Sequence, residues 1–344
     1  MDLDLKYNVS EGIYSLNGIR VVLLPRGSLE SIQEVVNKIL GLATKSIFEE
    51  AMATITYSFL TDLISKKLIK RHGEDKMLEE IFTLFGDMGF GRLGLLNKDL
   101  NTYTVTVEKG FNSILSGTKQ IPYCFEELGH LKAVFRIVLE REVTVQEERC
   151  KSTGDSDLDL FRVSTIGEKG SYTYIPSLMV GTSGGSVEKV EMIKNVNDVL
   201  INSLPTEIIP VTFFPYLFSK LRNIIGLGTY GIENSIGLDI AKLYNVFNFD
   251  TIKMKYQVDG PQILSALIGA GSVGISSTEA GEFESVDIAN SFNALHVDEA
   301  VEKRCFLLSG LISGLSYRLF NNALTFKENE CSAVNGKICK FVVG

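Results

Sequence analysis

Apolar positions along the chain trace one succession of elements twice. In the first half an apolar run over residues 19–24, interrupted by Arg20, predicts a buried strand. After it Ile32, Val35, Val36, Ile39 and Leu40 recur at helical spacing. More helix is predicted over 59–69 and 77–85, and the alternation Tyr103-Thr-Val-Thr-Val107 predicts a half-buried strand. A helix is expected from Cys124, with Leu128, Leu131, Phe135 and Val138 on one face, then a hairpin over 143–150 and 158–163. In the second half a strand over 208–214 leads into Leu217, Leu221, Ile224 and Ile225, and the half ends with a helix over 306–320 and a closing pair of strands. The predicted fold class is α+β, helices packed on one side of a mainly antiparallel sheet, in two copies.

A residue-by-residue shift makes the duplication explicit. At a shift of 181, Cys124 falls on Cys305, Gly129 on Gly310, Glu147 on Glu328, Cys150 on Cys331, Leu158 on Cys339, and Phe111-Asn112 on Phe292-Asn293. Upstream the shift drifts as loop insertions require: 180 for Gly89 on Gly269, 185 for Gly41 on Gly226, 190 for Pro25 on Pro215. The expected organisation is a first domain over 1–165, a connector over 166–205 and a second domain over 206–344. The connector holds the flexible stretch Thr182-Ser-Gly-Gly-Ser186 and then Val187, Val190, Ile193, Val196 and Leu200 at helical spacing, so part of it is expected to pack.

Net charge is −8, which argues against general nucleic-acid binding. The basic cluster Lys66, Lys67, Lys70 and Arg71 is followed at once by Glu74 and Asp75 and reads as a solvated helix end. No apolar run is long enough to span a bilayer. The opening Met1-Asp-Leu-Asp-Leu-Lys6 lacks a basic-then-apolar leader, so a cytoplasmic location is expected.

All five cysteines lie on the repeated pattern. In a reducing compartment such cysteines are metal ligands or reactive thiols more often than disulfides. In the second copy Cys305 precedes a helix, whose N-terminus favours a thiolate, and the Asn335-Gly336 step predicts a hairpin that brings Cys331 and Cys339 together. With Glu328 these form a tetrahedral donor set for structural zinc. The competing reading is that the cysteines are small core residues. In the first copy Cys124, Glu147 and Cys150 remain while Leu158 takes the fourth position, flanked by Asp157 and Asp159 as substitutes. That set reads either as a decayed structural site or as one with an open place.

Both glycine runs, Gly89-Phe-Gly91-Arg-Leu-Gly94 and Gly269-Ala-Gly271-Ser-Val-Gly274, match G-x-G-x-x-G. A dinucleotide turn needs a strand before it and a helix after it, and here the order is reversed. The glycines are expected to end a helix and turn the chain into the sheet. His72, His130 and His296 share no repeat position, and none has ligand spacing.

The run Cys305…Gly310…Glu328-Asn-Glu-Cys331-Ser-Ala-Val-Asn-Gly-Lys-Ile-Cys339 resembles the C-terminal signature of the 4-vinyl reductase domain, and Cys124…Gly129…Glu147-Glu-Arg-Cys150 resembles it without the last cysteine. The resemblance implies a fold shared with phenol- and xylene-sensing regulator domains and, more distantly, with nitric-oxide sensors and vesicle-tethering subunits. It also implies a structural zinc held by Cys305, Glu328, Cys331 and Cys339 beside an apolar pocket. The expected function is a non-catalytic sensor or carrier for a small apolar or aromatic molecule, with Phe85, Phe90 and Tyr103 as pocket walls. The alternative is a protein-interaction or dimerisation module, with a protein partner or a second copy of the chain. No hydride carrier site or acid–base pair supports the reductase activity of the family name.

Overall fold

The computed structural model describes residues 3–108, 124–154, 156, 158–168, 170–180, 186–194, 199–244, 249–257, 260–277, 283–294, 305–335 and 338–344. Phe111, Asn112, Asp157, residues 181–185, Val196, His296, Gly336 and Lys337, which carried expectations above, lie outside them.

The elements in chain order are β1 (Leu5–Asn8), β2 (Ile13–Leu16), β3 (Ile19–Pro25), α1 (Ser28–Leu40), α2 (Ala43–Ser65), α3 (Glu74–Asp87), β4 (Arg92–Lys98), β5 (Thr102–Glu108), α4 (Phe125–Leu139), β6 (Glu142–Arg149) and β7 (Asp159–Gly167). Then come β8 (Val187–Lys189), β9 (Met192–Lys194), β10 (Val199–Ile201), β11 (Leu204–Pro210), α5 (Phe213–Ile225), α6 (Thr229–Tyr244), α7 (Asp250–Tyr256) and α8 (Ile263–Ile268). The chain closes with β12 (Ser272–Ser277), β13 (Phe283–Ala289), α9 (Phe306–Phe320), β14 (Phe326–Glu330), α10 (Ser332–Asn335) and β15 (Ile338–Val343). The fold is α+β with antiparallel sheets, as expected.

Contacts gather the chain into two compact units, one of Met1–Leu3, Asn37–Ser177 and Lys194–Val199, the other of Asp4–Val36, Leu178–Ile193 and Leu200–Gly344. The first unit holds a four-stranded sheet in the order β4-β5-β7-β6. Helices α2 and α4 cross closely there: a Cβ on Gly129 would stand 2.6 Å from the Glu49 carbonyl oxygen and from Met52 Cβ. The buried face of β5, with Tyr103, Val105 and Val107 alternating inward, follows from period-two alternation over a packed surface.

The second unit holds the matching sheet in the order β12-β13-β15-β14, and most of a seven-stranded sheet ordered β8-β1-β2-β3-β11-β10-β9. Its helices α6 and α9 meet at small residues. A Cβ on Gly310 would stand 2.0 Å from the Asn234 carbonyl oxygen, and one on Gly237 would stand 2.1 Å from the Leu307 carbonyl oxygen. The buried carboxylate of Glu207, on β11, accepts the N–H groups of Gly27 (2.6 Å) and Leu29 (3.3 Å) at the start of α1. It thereby satisfies donors that a helix N-terminus leaves open.

Three expectations are corrected. The second-half strand spans Leu204–Pro210, and Phe213 and Phe214 already belong to α5. Strands β3 and β11 both end in proline, so Pro25 corresponds to Pro210 at a shift of 185, the shift that also fits α1 to α5. Two prolines five residues apart made the slipped alignment look equally good. The connector forms short strands β8, β9 and β10 rather than a helix, because three-residue strands joined by turns repeat apolar residues at nearly helical spacing. Edge pairing of β8 with β1 decides the outcome. Strands β1 and β2, which precede the first predicted strand, are four residues each, too short to display a period.

The glycine runs behave as the reversed order required. α3 ends at Asp87, Gly89 and Gly91 take positive φ (92° and 84°), and β4 follows. In the second unit α8 gives way to Gly269 and Gly271 (74° and 121°) and then β12.

Candidate metal centre

Local structure builds the second-half site in steps. Cys305 caps α9 at its N-terminus, Glu328 lies on β14, Cys331 follows that strand, and Cys339 lies on β15 opposite Ile288. One turn of helix, α10, follows Cys331 after β14, and β14 and β15 pair antiparallel. Each residue offers one ligand atom, and the four atoms lie within 4.8 Å of one another. All four side chains are buried, none more than 7% exposed.

For a zinc–sulfur bond of about 2.3 Å, the edge of a tetrahedron is about 3.8 Å. Cys305 and Cys331 sulfurs stand 3.9 Å apart, close to that edge. Cys305 and Cys339 stand 2.9 Å apart and would open by about 0.9 Å to share an ion. The backbone N–H of Cys305 donates to Glu328 Oε2 at 2.9 Å, orienting the carboxylate. Such outer contacts fix the aim of metal ligands.

Electrostatics divide the cysteines unequally. Burial, with the sulfurs of Cys331 and Cys339 close by, pushes the Cys305 thiol well up. Cys339 is pulled down to about 4 instead, first by the thiol of Cys305, then by Cys331 and by Ser332, whose N–H and hydroxyl stand 3.3 and 3.2 Å from its sulfur. Burial, then the charge of Cys331, raises Glu328 to about 8. The group holds protons that a divalent cation would replace, and its three sulfurs and one oxygen suit zinc.

The first half assembles a second group, Cys124, Glu147, Cys150 and Asp159, its ligand atoms again within 4.8 Å. Cys124 caps α4, Glu147 lies on β6, and Asp159 opens β7. The two sulfurs are 3.4 Å apart. Oε1 of Glu147 is buried with no nitrogen or oxygen donor. Cys150 and burial raise the Cys124 thiol. Burial raises Glu147 to about 9 and Asp159 to about 6. Leu158 is not a member. Its neighbour Asp159 is, because the loop after Cys150 is one residue longer than the loop after Cys331, which a fixed shift of 181 cannot accommodate.

Of the expected pocket walls, Phe85 and Phe90 stand together, 5.6 Å between ring centroids, and Tyr103 stands apart from them. Phe85 and Phe90 border a void of about 10 Å³ with Leu93, Val107, Glu127, His130 and Leu131, room for one water. Their rings pack on the His130 imidazole at 5.1 and 4.8 Å between centroids. Tyr103 packs on Phe135 and reaches Glu74 with its hydroxyl. A cleft of about 480 Å³ lies elsewhere in the same unit, between α3 and β4, with Leu78, Phe82, Leu93 and Leu95 as apolar wall. Its rim carries Asp75, Glu79, Asp87, Glu108, Arg92 and Lys194, the last paired with Asp87 at 2.6 Å. The helical stripe containing Leu78 was legible in the sequence, but the gap between helix and strand leaves no sequence mark.

His130 is buried, its Nδ1 2.7 Å from the Thr56 hydroxyl, and burial holds its pKa down to about 3. His72 lies 3.6 Å from Glu80. Neither joins a metal group. No helix among the described residues is long and apolar enough to cross a membrane.

No family model and no curated protein matches the chain. Solved structures do. The phenol-responsive sensory domain of the transcription activator PoxR, with phenol, is 17% identical at a TM-score of 0.39, over 44% of this chain and 80% of that one. A trafficking protein particle complex subunit 3 from Naegleria fowleri, covalently bound to palmitic acid, is 15% identical at 0.35, over 42% and 98%. A vinyl-4-reductase family protein from Methanocaldococcus jannaschii is 22% identical at 0.26, over 40% and 92%.

Proposed function

We propose that the chain is a non-catalytic binding protein, a sensor or carrier for a small apolar or aromatic molecule, built from two diverged copies of one domain. Structural zinc in the second copy is held by Cys305, Glu328, Cys331 and Cys339. The observation that carries the ligand reading is the cleft of about 480 Å³ walled by Leu78, Phe82, Leu93 and Leu95, a volume in the range of small-molecule sites. Zinc would contribute rigidity, tying the start of α9 to the ends of β14 and β15. The matching order of sheets β4-β5-β7-β6 and β12-β13-β15-β14 supports the duplication.

The test is a thermal-shift screen of the full chain against monocyclic and bicyclic aromatics, repeated on Leu95→Glu. Leu95 is 37% exposed, so the charge enters the cleft wall without emptying the core. Stabilisation in the wild type, reduced at least tenfold in apparent affinity in the variant, supports the reading. Equal stabilisation of both proteins places the ligand elsewhere, and no stabilisation by any aromatic counts against a ligand role.

One observation favours a second reading, an interaction or dimerisation module. Ile39 and Leu42 are 54% and 83% exposed, and the residues 185 further on, Ile224 and Leu227, are 55% and 68% exposed. Exposed apolar residues at matching places suit a protein contact. Sedimentation of the wild type against Leu42→Lys and Leu227→Lys separates the readings, since only the interaction module changes its association state.

A further inference from the structure

We infer that the first half carries a second, closed metal centre in which Asp159 stands in place of the third thiolate, and that this centre is the weaker-binding and more exchangeable of the two. The inequality rests on the zinc reading of the second half, while the existence of the first centre rests on its own residues.

Register supports the substitution. Strands β5 and β13 have seven residues each, and the sixth of each, Val107 and Ile288, faces Asp159 and Cys339 across the ladder. Glu147 and Glu328 likewise face Phe161 and Phe341. Cys124 and Cys305 both cap fifteen-residue helices. The outer contact is repeated as well. The N–H of Lys151, next after Cys150, donates to Asp159 Oδ1 at 2.7 Å, and the N–H of Ser332, next after Cys331, donates to Cys339 Sγ at 3.3 Å. One backbone donor therefore aims an oxygen in one half and a sulfur in the other. The extra loop residue in the first half is what brings an aspartate into register.

Burial makes the centre closed. Cys124, Cys150 and Asp159 are 0%, 2% and 2% exposed and Glu147 is half-buried, and with all four donors bound a tetrahedral ion has no open position for a reacting water. Two thiolates and two carboxylates form a harder donor set than three thiolates and one carboxylate. Such a set holds zinc less tightly and tolerates manganese, iron or cobalt better. The chain thus pairs a tight centre with an exchangeable one.

The test uses the full chain, stripped of metal, reloaded with zinc chloride or cobalt chloride and dialysed. Zinc by elemental analysis should be two per chain in the wild type and one in Asp159→Ala and in Cys331→Ser. Competition with a chelating indicator should release the two ions in separate phases, at least tenfold apart in affinity, with the weaker phase missing from Asp159→Ala. Asp159→Cys, which supplies the third thiol, should tighten that phase toward the other. With cobalt, the sulfur-to-metal charge-transfer intensity should stand at about 5:3:6 for wild type, Asp159→Ala and Asp159→Cys, following the number of coordinating thiolates. One zinc, unchanged by Asp159→Ala and lost in Cys331→Ser, overturns this inference and leaves the second-half centre standing. Two ions leaving in one phase overturn the inequality. Two thiols missing from a titration of the unfolded, unreduced wild type, restored by reductant and no longer missing in Cys150→Ser, would make Cys124 and Cys150 a disulfide and overturn the centre. No metal in any variant removes both centres.

Discussion

Replacing Gly310 by alanine tests how closely α6 and α9 cross. The added Cβ would stand 2.0 Å from the Asn234 carbonyl oxygen and 2.9 Å from its carbonyl carbon, both backbone atoms that cannot swing away. Ordinary carbon–oxygen contact needs a little over 3 Å, so the helices must part by about 1 Å, and a gap of that size forfeits a quarter to a half of each affected contact. Overpacking of this kind costs about 1–3 kcal/mol, sometimes more. Alanine's better helix propensity returns about 1 kcal/mol, but neighbouring Gly237 and Gly314, whose own Cβ positions would meet α9 and α6 at 2.1 and 2.4 Å, show that the whole crossing is tight. With the cost at the upper end of that range, the expected net loss is about 1–2 kcal/mol. Gly231, on α6 with nothing within 4 Å of its Cβ position, is the control: Gly231→Ala should gain about 0.5–1 kcal/mol. Urea unfolding followed by circular dichroism measures both. If Gly310→Ala unfolds at the wild-type midpoint or above, the helices are not in glycine-mediated contact and the packing described for this unit is wrong.

Three further outcomes are expected. His130, held down to about 3 by burial, stays neutral in the folded state while an unfolded histidine titrates near 6.5. Its contribution is therefore intact above about pH 6.5 and lost as pH falls toward 3, amounting to about 2 kcal/mol by pH 5. The stability difference between wild type and His130→Gln should shrink by about that amount from pH 8 to pH 5, and a constant difference would contradict a buried neutral imidazole. Treatment with a strong chelator should lower the melting temperature by more than about 5 °C, since a structural ion contributes folding free energy directly; an unchanged melting curve would show that no ion ties α9 to β14 and β15. Phe90→Leu should leave aromatic binding within a factor of two, because Phe90 borders the small void beside His130 and does not line the cleft, whereas a tenfold loss would move the ligand site there.

What could be read from the sequence was whatever leaves a periodic or spaced mark. The alternation at Tyr103, Val105 and Val107 gave β5, and the reversed helix–glycine–strand order removed the dinucleotide reading of both glycine runs. The gathering of Cys305, Glu328, Cys331 and Cys339 followed from a helix start and two adjacent strands. Features set by a partner element left no such mark. Gly129 and Gly310 stood out only as repeated residues, because their use depends on how near Glu49 and Asn234 approach. Asp157 and Asp159, either side of the residue a constant shift selects, were equal candidates by sequence, and strand register against Val107 places Asp159 in the group. The lowered pKa of Cys339 depends on which sulfurs and hydroxyls face it, which the sequence does not display. The cleft is a separation between α3 and β4, which no residue encodes by itself.

The most direct measurement of the central claim is zinc per chain after purification without added metal, for wild type and Cys331→Ser. The account predicts at least one tightly held zinc in the wild type and one fewer in the variant. Equal zinc in both proteins, or none in either, would contradict a metal centre at Cys305, Glu328, Cys331 and Cys339 and return these residues to plain core packing.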